Sequence, residues 1–391
     1  MKHCYRYSAM RRLVALLLLA TAPAVFAAKR RAVGSPLPEL AVPAADAIAA
    51  AAIAEGVPGL SIAVRKGDLT FTRAYGLFDR EAGILTNTNT VFSIGSVTKQ
   101  FTAAAILRLE EQGKLSVDDK ARKFLPELDA RFDRITIRHL LQHTSGIAEY
   151  VDYLSSVTDP KTHQEIFAMI TGSAPQFPAG SRWEYCNSGY FLLGMIIERA
   201  SAQTYEQYVR DQFFTPMGLG NTTLSSETAP PPHGYVLDDG SVAVSAVAHP
   251  SLLYAAGGIL STPSDLVRWN TLLVASPLHA RMIGERVRAN GDNDYGFGLV
   301  IDTFEGRVRV FHTGAVPGFM GWLVWFPEEK ITLAVLMNVH DGDGDLAEDV
   351  TEAIARSLFV QNDAAAEARR RSPIRIARRC RTTEGSLRLL P

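Results

Sequence analysis

The chain has 391 residues, 47% of them hydrophobic and 21% charged, which is a globular composition and excludes a disordered, collagen-like or disulfide-scaffold chain. A net charge of −1 gives no whole-chain reason to expect nucleic-acid binding. The near-neutrality hides two basic ends: residues 1–27 carry +4 and residues 361–391 carry +5, so the stretch between them is near −10.

The first basic end has the three parts of a secretory signal. Lys2, Arg6, Arg11 and Arg12 precede the apolar run Leu13–Ala20, and Val25-Phe26-Ala27 offers the small residues of a peptidase cut. A membrane span needs ~20 apolar residues, and this run is shorter and meets Pro23. The expectation is cleavage near Ala27 and an exported, periplasmic or secreted, chain. Of three cysteines, Cys4 leaves with the signal, and Cys186 and Cys380 remain with no pattern that fixes a disulfide. No Cys/His cluster suggests a metal.

Residues 28–45 read as a basic, Pro-rich leader. Asp46 to Glu55 is an Ala-rich helix that Gly56 stops. Leu60–Val64 and Leu69–Tyr75 alternate around Lys66-Gly67-Asp68, a β-hairpin pattern. The apolar spacing from Ser96 to Gln112 predicts a helix ending at Gly113, and further helices are predicted around 137–141, 190–199 and 205–214. Thr262-Pro263-Ser264-Asp265 is a cap, a first-turn proline and an acid before another helix. Strand-like runs follow at 295–302, 308–312, 322–326 and 331–338, then a helix over about 346–359. Sheet-forming segments thus sit at both ends, about 46–90 and 255–360, and helices between, about 91–254. The simplest α+β packing is one mainly antiparallel sheet flanked by terminal helices, with an inserted helical region. Residues 361–391 hold eight Arg and no apolar periodicity, and read as a disordered tail.

Three short stretches can carry chemistry. In Ser96-Val-Thr-Lys99 the two side chains lie one helical turn apart, so the amine can reach the hydroxyl, and a serine needs such a neighbour to become a nucleophile. A Ser-x-x-Lys arises by chance about once in a chain of this length, so a capping Ser with a surface Lys is the plain alternative. Tyr185-Cys-Asn187 precedes an apolar helix; a phenol becomes a usable base only beside positive charge, which Lys99 can supply, while a packed Tyr and a capping Asn form the alternative. His312-Thr313-Gly314-Ala315 sits where a strand meets a glycine that lets something approach its backbone, or simply ends in a turn.

In this order and setting the three stretches resemble the Ser-x-x-Lys, Tyr-x-Asn and Lys/His-Thr-Gly motifs of the serine β-lactamase and penicillin-binding family. The tyrosine-type second motif resembles the branch that holds class C β-lactamases, DD-peptidases of the D-alanyl-D-alanine carboxypeptidase type, and related esterases and D-aminopeptidases. Val57–Ser61, Leu140–Gly146 and Gly257–Thr262 are similar to further stretches of that branch, and the resemblance covers about residues 46–360. It implies a β-lactamase/transpeptidase-like fold. Ser96 would be acylated, Lys99 and Tyr185 would share the proton work, and Asn187 would hold the substrate amide. Thr313 and Gly314 would line the substrate, and the N–H groups of Ser96 and Ala315 would form the oxyanion hole. His312 stands where many β-lactamases have Lys, so a permanent cation for a β-lactam carboxylate is missing; an imidazole titrating near neutrality would bind a carboxylate better as pH falls.

The resulting expectation is an exported serine hydrolase acting through an acyl-enzyme on a peptide, ester or lactam carbonyl, DD-peptidase-, D-aminopeptidase- or esterase-like rather than a β-lactamase. The alternatives are a penicillin-recognising sensor that stays acylated and a true class C-type β-lactamase. No metal or organic cofactor is expected, the partner is a small-molecule or peptide substrate, nucleic acid is not, and the basic tail allows weak docking on an anionic surface. His143 and Ser145, in His-Thr-Ser-Gly, are read as structural. Asp341-Gly-Asp343-Gly-Asp345 mimics a calcium loop, but Leu346 stands where that loop needs Gly, so a solvated turn at a helix start is the better reading.

Overall fold

Period-2 alternation decides the first pairing. Strands β1 (Gly59–Lys66) and β2 (Leu69–Asp79) turn at Gly67, whose φ of 57° suits glycine, and pair antiparallel from Gly59↔Gly76 to Lys66↔Leu69. The computed structural model describes residues 37–226, 232, 234–342 and 345–371. In it, β3 (Ile84–Leu85), β4 (Val287–Arg288), β5 (Asp294–Tyr295), β6 (Val300–Phe304), β7 (Arg307–Val316), β8 (Phe319–Phe326) and β9 (Ile331–Met337) join the hairpin in one nine-stranded sheet. Its order is β3-β2-β1-β9-β8-β7-β6-β5-β4, and every neighbouring pair is antiparallel. The first strand thus docks beside the last, so both ends of the chain build one sheet.

Both faces of β9 are covered, which is why its seven residues are all buried. Leu333, Val335 and Met337 pack with Ile62 and Val64 towards the terminal helices α1 (Leu37–Ala54) and α6 (Leu346–Arg371), through Ala49, Ile354 and Leu358. Ala334 and Leu336 face the other way, with Ala63, into the core shared with the helical region. Each such aliphatic burial stabilises by roughly 1.5–3 kcal/mol.

Three boundaries differ from expectation. Helix α1 begins at Leu37, inside the expected leader, because Pro43 has a helix-compatible φ and removes only one hydrogen bond. Helix α6 continues to Arg371, because the Ala/Glu/Arg-rich stretch after Asn362 has high helix propensity without needing an apolar face, so the first eleven residues of the expected disordered tail are helical. The rest of the tail, with Cys380, and the expected signal segment lie outside the described residues. Finally, the strand expected over 295–302 is split at Gly296–Leu299. There Gly298, at φ 71°, lies so close to helix α2 (Thr98–Glu111) that a Cβ would sit 2.6 Å from the Lys99 carbonyl oxygen. Among the described residues no helix is long and apolar enough to cross a membrane.

Helix α2 runs through the middle of the helical region and is buried on all sides from Thr98 to Leu107. Its buried polar groups are satisfied: Thr98 Oγ1 accepts from the Ile259 N–H (3.1 Å), and Gln100 Oε1 from Trp269 Nε1 (3.1 Å) on helix α5 (Pro263–Val274). Helix α3 (Asn187–Ser201) packs against it, as does helix α4 (Pro250–Gly257). Tyr254 interrupts α4 with φ 37° and ψ −129°, a conformation costing ~1–3 kcal/mol, and the next two carbonyls turn into α2. Ala255 O accepts from Thr102 Oγ1 and Ala256 O from Lys99 Nζ, both at 2.7 Å. The acidic turn before α6 caps that helix: Asp341 accepts the Leu346 N–H at 3.0 Å, while Asp343 lies outside the described residues.

Candidate active site

Ser96 belongs to a single 3₁₀ turn, Gly95–Val97, that feeds α2, and its hydroxyl caps nothing. It is spent instead on the neighbour one turn on. Lys99 is 0% exposed, and its Nζ lies 2.8 Å from Ser96 Oγ, 2.9 Å from Asn187 Oδ1 and 2.7 Å from Ala256 O. Burial lowers the Lys99 pKa to about 7, partly opposed by the Glu149 carboxylate. A neutral amine has two N–H donors and one lone pair. Asn187 Oδ1 and Ala256 O can only accept, so they take both donors, and the lone pair is left for the Ser96 O–H.

Tyr185 completes the contact from the other side. Its O–H donates to Ser96 Oγ at 2.7 Å. The residue as a whole is 37% exposed at the cleft, but the hydroxyl points inward, and burial raises its pKa above the ordinary phenol value. Lys99 Nζ sits 4.9 Å from the centre of the Tyr185 ring. The expectation that a Lys99 cation turns Tyr185 into a base is therefore corrected: burial keeps the Tyr185 hydroxyl protonated, and it lowers the Lys99 amine to about 7, so that its neutral form is available near neutral pH. In this arrangement Lys99 can accept a proton and Tyr185 can give one.

The second motif is braced by residues outside it. Asn187 opens α3, and Glu149 accepts its backbone N–H at 2.5 Å together with that of Val151 at 3.2 Å. Burial raises the Glu149 pKa, while these N–H groups oppose the rise. His143 Nδ1 accepts the Cys186 N–H at 3.1 Å, and its ring lies 4.4 Å from that of Tyr185. His143 is buried with its pKa well below the ordinary value, and its ring packs the tyrosine in place; Ser145 Oγ accepts the Ile147 N–H at 3.5 Å. Cys186 is a buried free thiol.

The third motif is continuous strand, not a strand end: β7 runs through Gly314 to Val316. A Cβ on Gly314 would lie 1.9 Å from Ile94 O and 3.2 Å from Ser96 N; one on Gly95, at φ 50°, would lie 2.8 Å from Ala315 N. Two glycines thus let the strand touch the turn that carries Ser96, which brings the amides of Ser96 and Ala315 close together. Thr313 and Ala315 face the cleft.

His312 corrects the expected pH switch. It is 3% exposed, and burial, with a contribution from Lys99, lowers its pKa to about 3. Nδ1 lies 2.6 Å from Thr313 O, which only accepts, so Nδ1 bears the proton and Nε2 accepts from Tyr295 O–H at 3.0 Å. The imidazole is neutral throughout the range in which a free one titrates. The ratio of kcat/KM for a carboxylate-bearing ester to that for its neutral analogue is expected to stay within about twofold from pH 5.5 to 8.5; a tenfold rise on acidification would show that His312 titrates there. The same depression means the unfolded chain gains a proton below about 6.5 that the folded one refuses until about 3, so this residue lowers stability as pH falls through that window.

Glu149, Tyr295 and the Ala256 carbonyl carry no spacing signal that ties them to the three motifs, and sequence reasoning missed them. Tyr295 and Ala256 join Ser96, Tyr185, Asn187, His312, Thr313 and Ala315 in lining a cleft of about 510 Å³ between the helical region and the sheet.

Known proteins resemble this chain over most of its length. A family profile described as Beta-lactamase matches residues 44–356. The chain is 29% identical over 330 residues to penicillin-binding protein 4* of Bacillus subtilis (strain 168), covering 78% of this chain and 72% of that one. It is 27% identical to protein flp of Staphylococcus aureus (strain MW2) over 73% of this chain, and spans 60% of that protein's length. Among solved structures, D-amino acid amidase from Ochrobactrum anthropi SV3 superposes with a TM-score of 0.76 at 25% identity, covering 83% of this chain and 99% of the amidase. The octameric penicillin-binding protein homologue from Pyrococcus abyssi gives 0.71 at 29% identity, covering 82% and 77%. With the profile spanning most of its length, the chain belongs to the Beta-lactamase family of serine hydrolases.

Proposed function

We propose that the chain is an exported hydrolase that opens an ester or amide carbonyl through an acyl-enzyme on Ser96, with amidase-, DD-peptidase- or esterase-like turnover favoured over β-lactam hydrolysis. The observation that carries this reading is that one hydroxyl oxygen, Ser96 Oγ, is held at once by the buried Lys99 amine at 2.8 Å and by the Tyr185 hydroxyl at 2.7 Å.

The steps follow from the hydrogen-bond roles. Ser96 O–H gives its proton to the Lys99 lone pair as Oγ bonds to the carbonyl carbon, and the carbonyl oxygen gains the negative charge that the Ser96 and Ala315 N–H groups receive. Tyr185 then protonates the departing nitrogen or oxygen as the tetrahedral centre collapses, and Lys99 returns its proton to the phenolate. In the second half water loses a proton to the same pair and attacks the acyl carbon, and Ser96 leaves as the alcohol. The neutral His312 supports a preference away from carboxylate-bearing lactams, and the amino-terminal segment ending near Ala27 supports export.

A fluorophosphonate is expected to add once per chain, on the peptide that contains Ser96, and a nitrophenyl ester is expected to give a burst followed by steady turnover. An adduct on Ser145, or none, would remove this reading. A stoichiometric burst with no turnover would instead identify a sensor.

A further inference from the structure

Resting on the reading of Ser96 as nucleophile, we infer that the cleft selects substrates with an uncharged, apolar acyl group and discriminates against a carboxylate or free amine carried on that acyl group.

The inference starts from what builds the cleft. One wall comes from the loop 150–157 and helix α4. The His249 N–H donates to Val157 O at 2.8 Å, and the Tyr150 hydroxyl donates to Leu252 O, so loop and helix are tied into one wall. This wall presents Val151, Leu154, Val157, Leu252 and Leu253. The sheet side presents Asn290, Asn293, Tyr295 and Thr313, which are polar but neutral. Among the described residues that line the cleft there is no Asp, Glu, Lys or Arg.

The charged groups near the cleft are committed elsewhere. Lys99 is buried and has all three positions on its nitrogen occupied by Ser96, Asn187 and Ala256. The Glu149 carboxylate receives the backbone N–H groups of Asn187 and Val151. His312 has both ring nitrogens engaged, by Thr313 O and Tyr295 O–H. A carboxylate or ammonium on the acyl group would therefore lose hydration without finding an opposite charge.

The direction of the substrate follows from the proton donor. Tyr185 stands with Trp183 and His312, at ring separations of 6.5 and 6.3 Å, on the side of the sheet. The group it protonates leaves past them, and the acyl group meets the apolar wall of the loop and α4. Each methylene seated there can raise kcat/KM by up to about fourfold.

Four nitrophenyl esters test this, each rate divided by its uncatalysed hydrolysis. Nitrophenyl pentanoate is expected to exceed nitrophenyl hydrogen glutarate, which has the same carbon count but ends in a carboxylate, by ~10-fold or more in kcat/KM. Nitrophenyl N-acetyl-D-phenylalaninate is expected to exceed its free-amine counterpart by a similar factor. Val151 is 41% exposed and tolerates a long side chain, so Val151→Arg is expected to narrow the pentanoate-to-glutarate gap severalfold while leaving the fold intact. Equal rates on pentanoate and glutarate, or preference for the free amine, would overturn the inference. Fluorophosphonate labelling of Ser96 is measured beside them: labelling without charge selectivity sinks this inference alone, and no labelling sinks the nucleophile assignment beneath it.

Discussion

Ser96→Ala and Lys99→Met are each expected to lower kcat by ~10⁴-fold or more, and the double replacement no further, because the two act as one proton-transfer unit. Without the hydroxyl there is nothing for Lys99 to activate. Without the amine, Ser96 retains only the Tyr185 O–H, which donates to it and cannot take its proton. Lys99 with a pKa of about 7 also sets the pH dependence: acylation rises with pH as the amine becomes neutral and levels off above it. The residual rate of Lys99→Met is expected to lack that limb. Stability gives an independent check. An amine with an ordinary value of 10.5 and a folded value of about 7 leaves the unfolded chain holding a proton that the folded chain lacks between those limits. Stability therefore rises with pH across that window, and the rise is expected to shrink in Lys99→Met when urea midpoints are compared at pH 7 and 9.5. Substantial turnover by Lys99→Met with the same acid limb would place the base elsewhere.

The Ser96–Lys99 pair is legible in the sequence because both residues lie on one helix, three apart, where spacing alone fixes the contact. The reach of that pair to Asn187 is not local: it depends on α3 packing against α2, and only the motif resemblance anticipated it. The Ala256 carbonyl is less legible still. It is a backbone atom with no side-chain signature, exposed to Lys99 by an interruption at Tyr254 that nothing in Leu252–Gly257 announces. The charge state of His312 is illegible in the sequence for a related reason. A histidine in a motif reads as an ordinary imidazole until its burial is known, and the Tyr295 that engages it lies seventeen positions away on another strand. The sheet was easier, since its hairpins are local and its alternation strong, but the break at Gly298 answers to the backbone of α2 rather than to its neighbours in sequence.

That dependence on close backbone approach is sharpest at Gly314. Gly314→Ala is expected to lower kcat by ~10²–10³-fold with the chain still folded. The new methyl would sit 1.9 Å from Ile94 O, 2.8 Å from Ile94 C and 3.2 Å from Ser96 N. All three are backbone atoms, which cannot swing aside as the tip of a side chain can. Either β7 retreats and takes the Ala315 N–H with it, or the Gly95–Val97 turn shifts and takes Ser96. Both movements separate the two amides that would receive the oxyanion, and an oxyanion donor is worth most when it is already aimed. The sheet limits how far β7 can retreat, since Gly314 pairs with Gly321 on β8 and its neighbours with Trp322 and Met320. The strain should therefore appear both in rate and in stability, the latter by ~1–3 kcal/mol. The binding walls are untouched, so KM is expected to change little. Gly284→Ala is the control: its methyl would meet nothing within 4 Å, and kcat should hold within about twofold. Wild-type kcat in Gly314→Ala would mean that the approach of β7 to the Ser96 turn is not what stabilises the transition state.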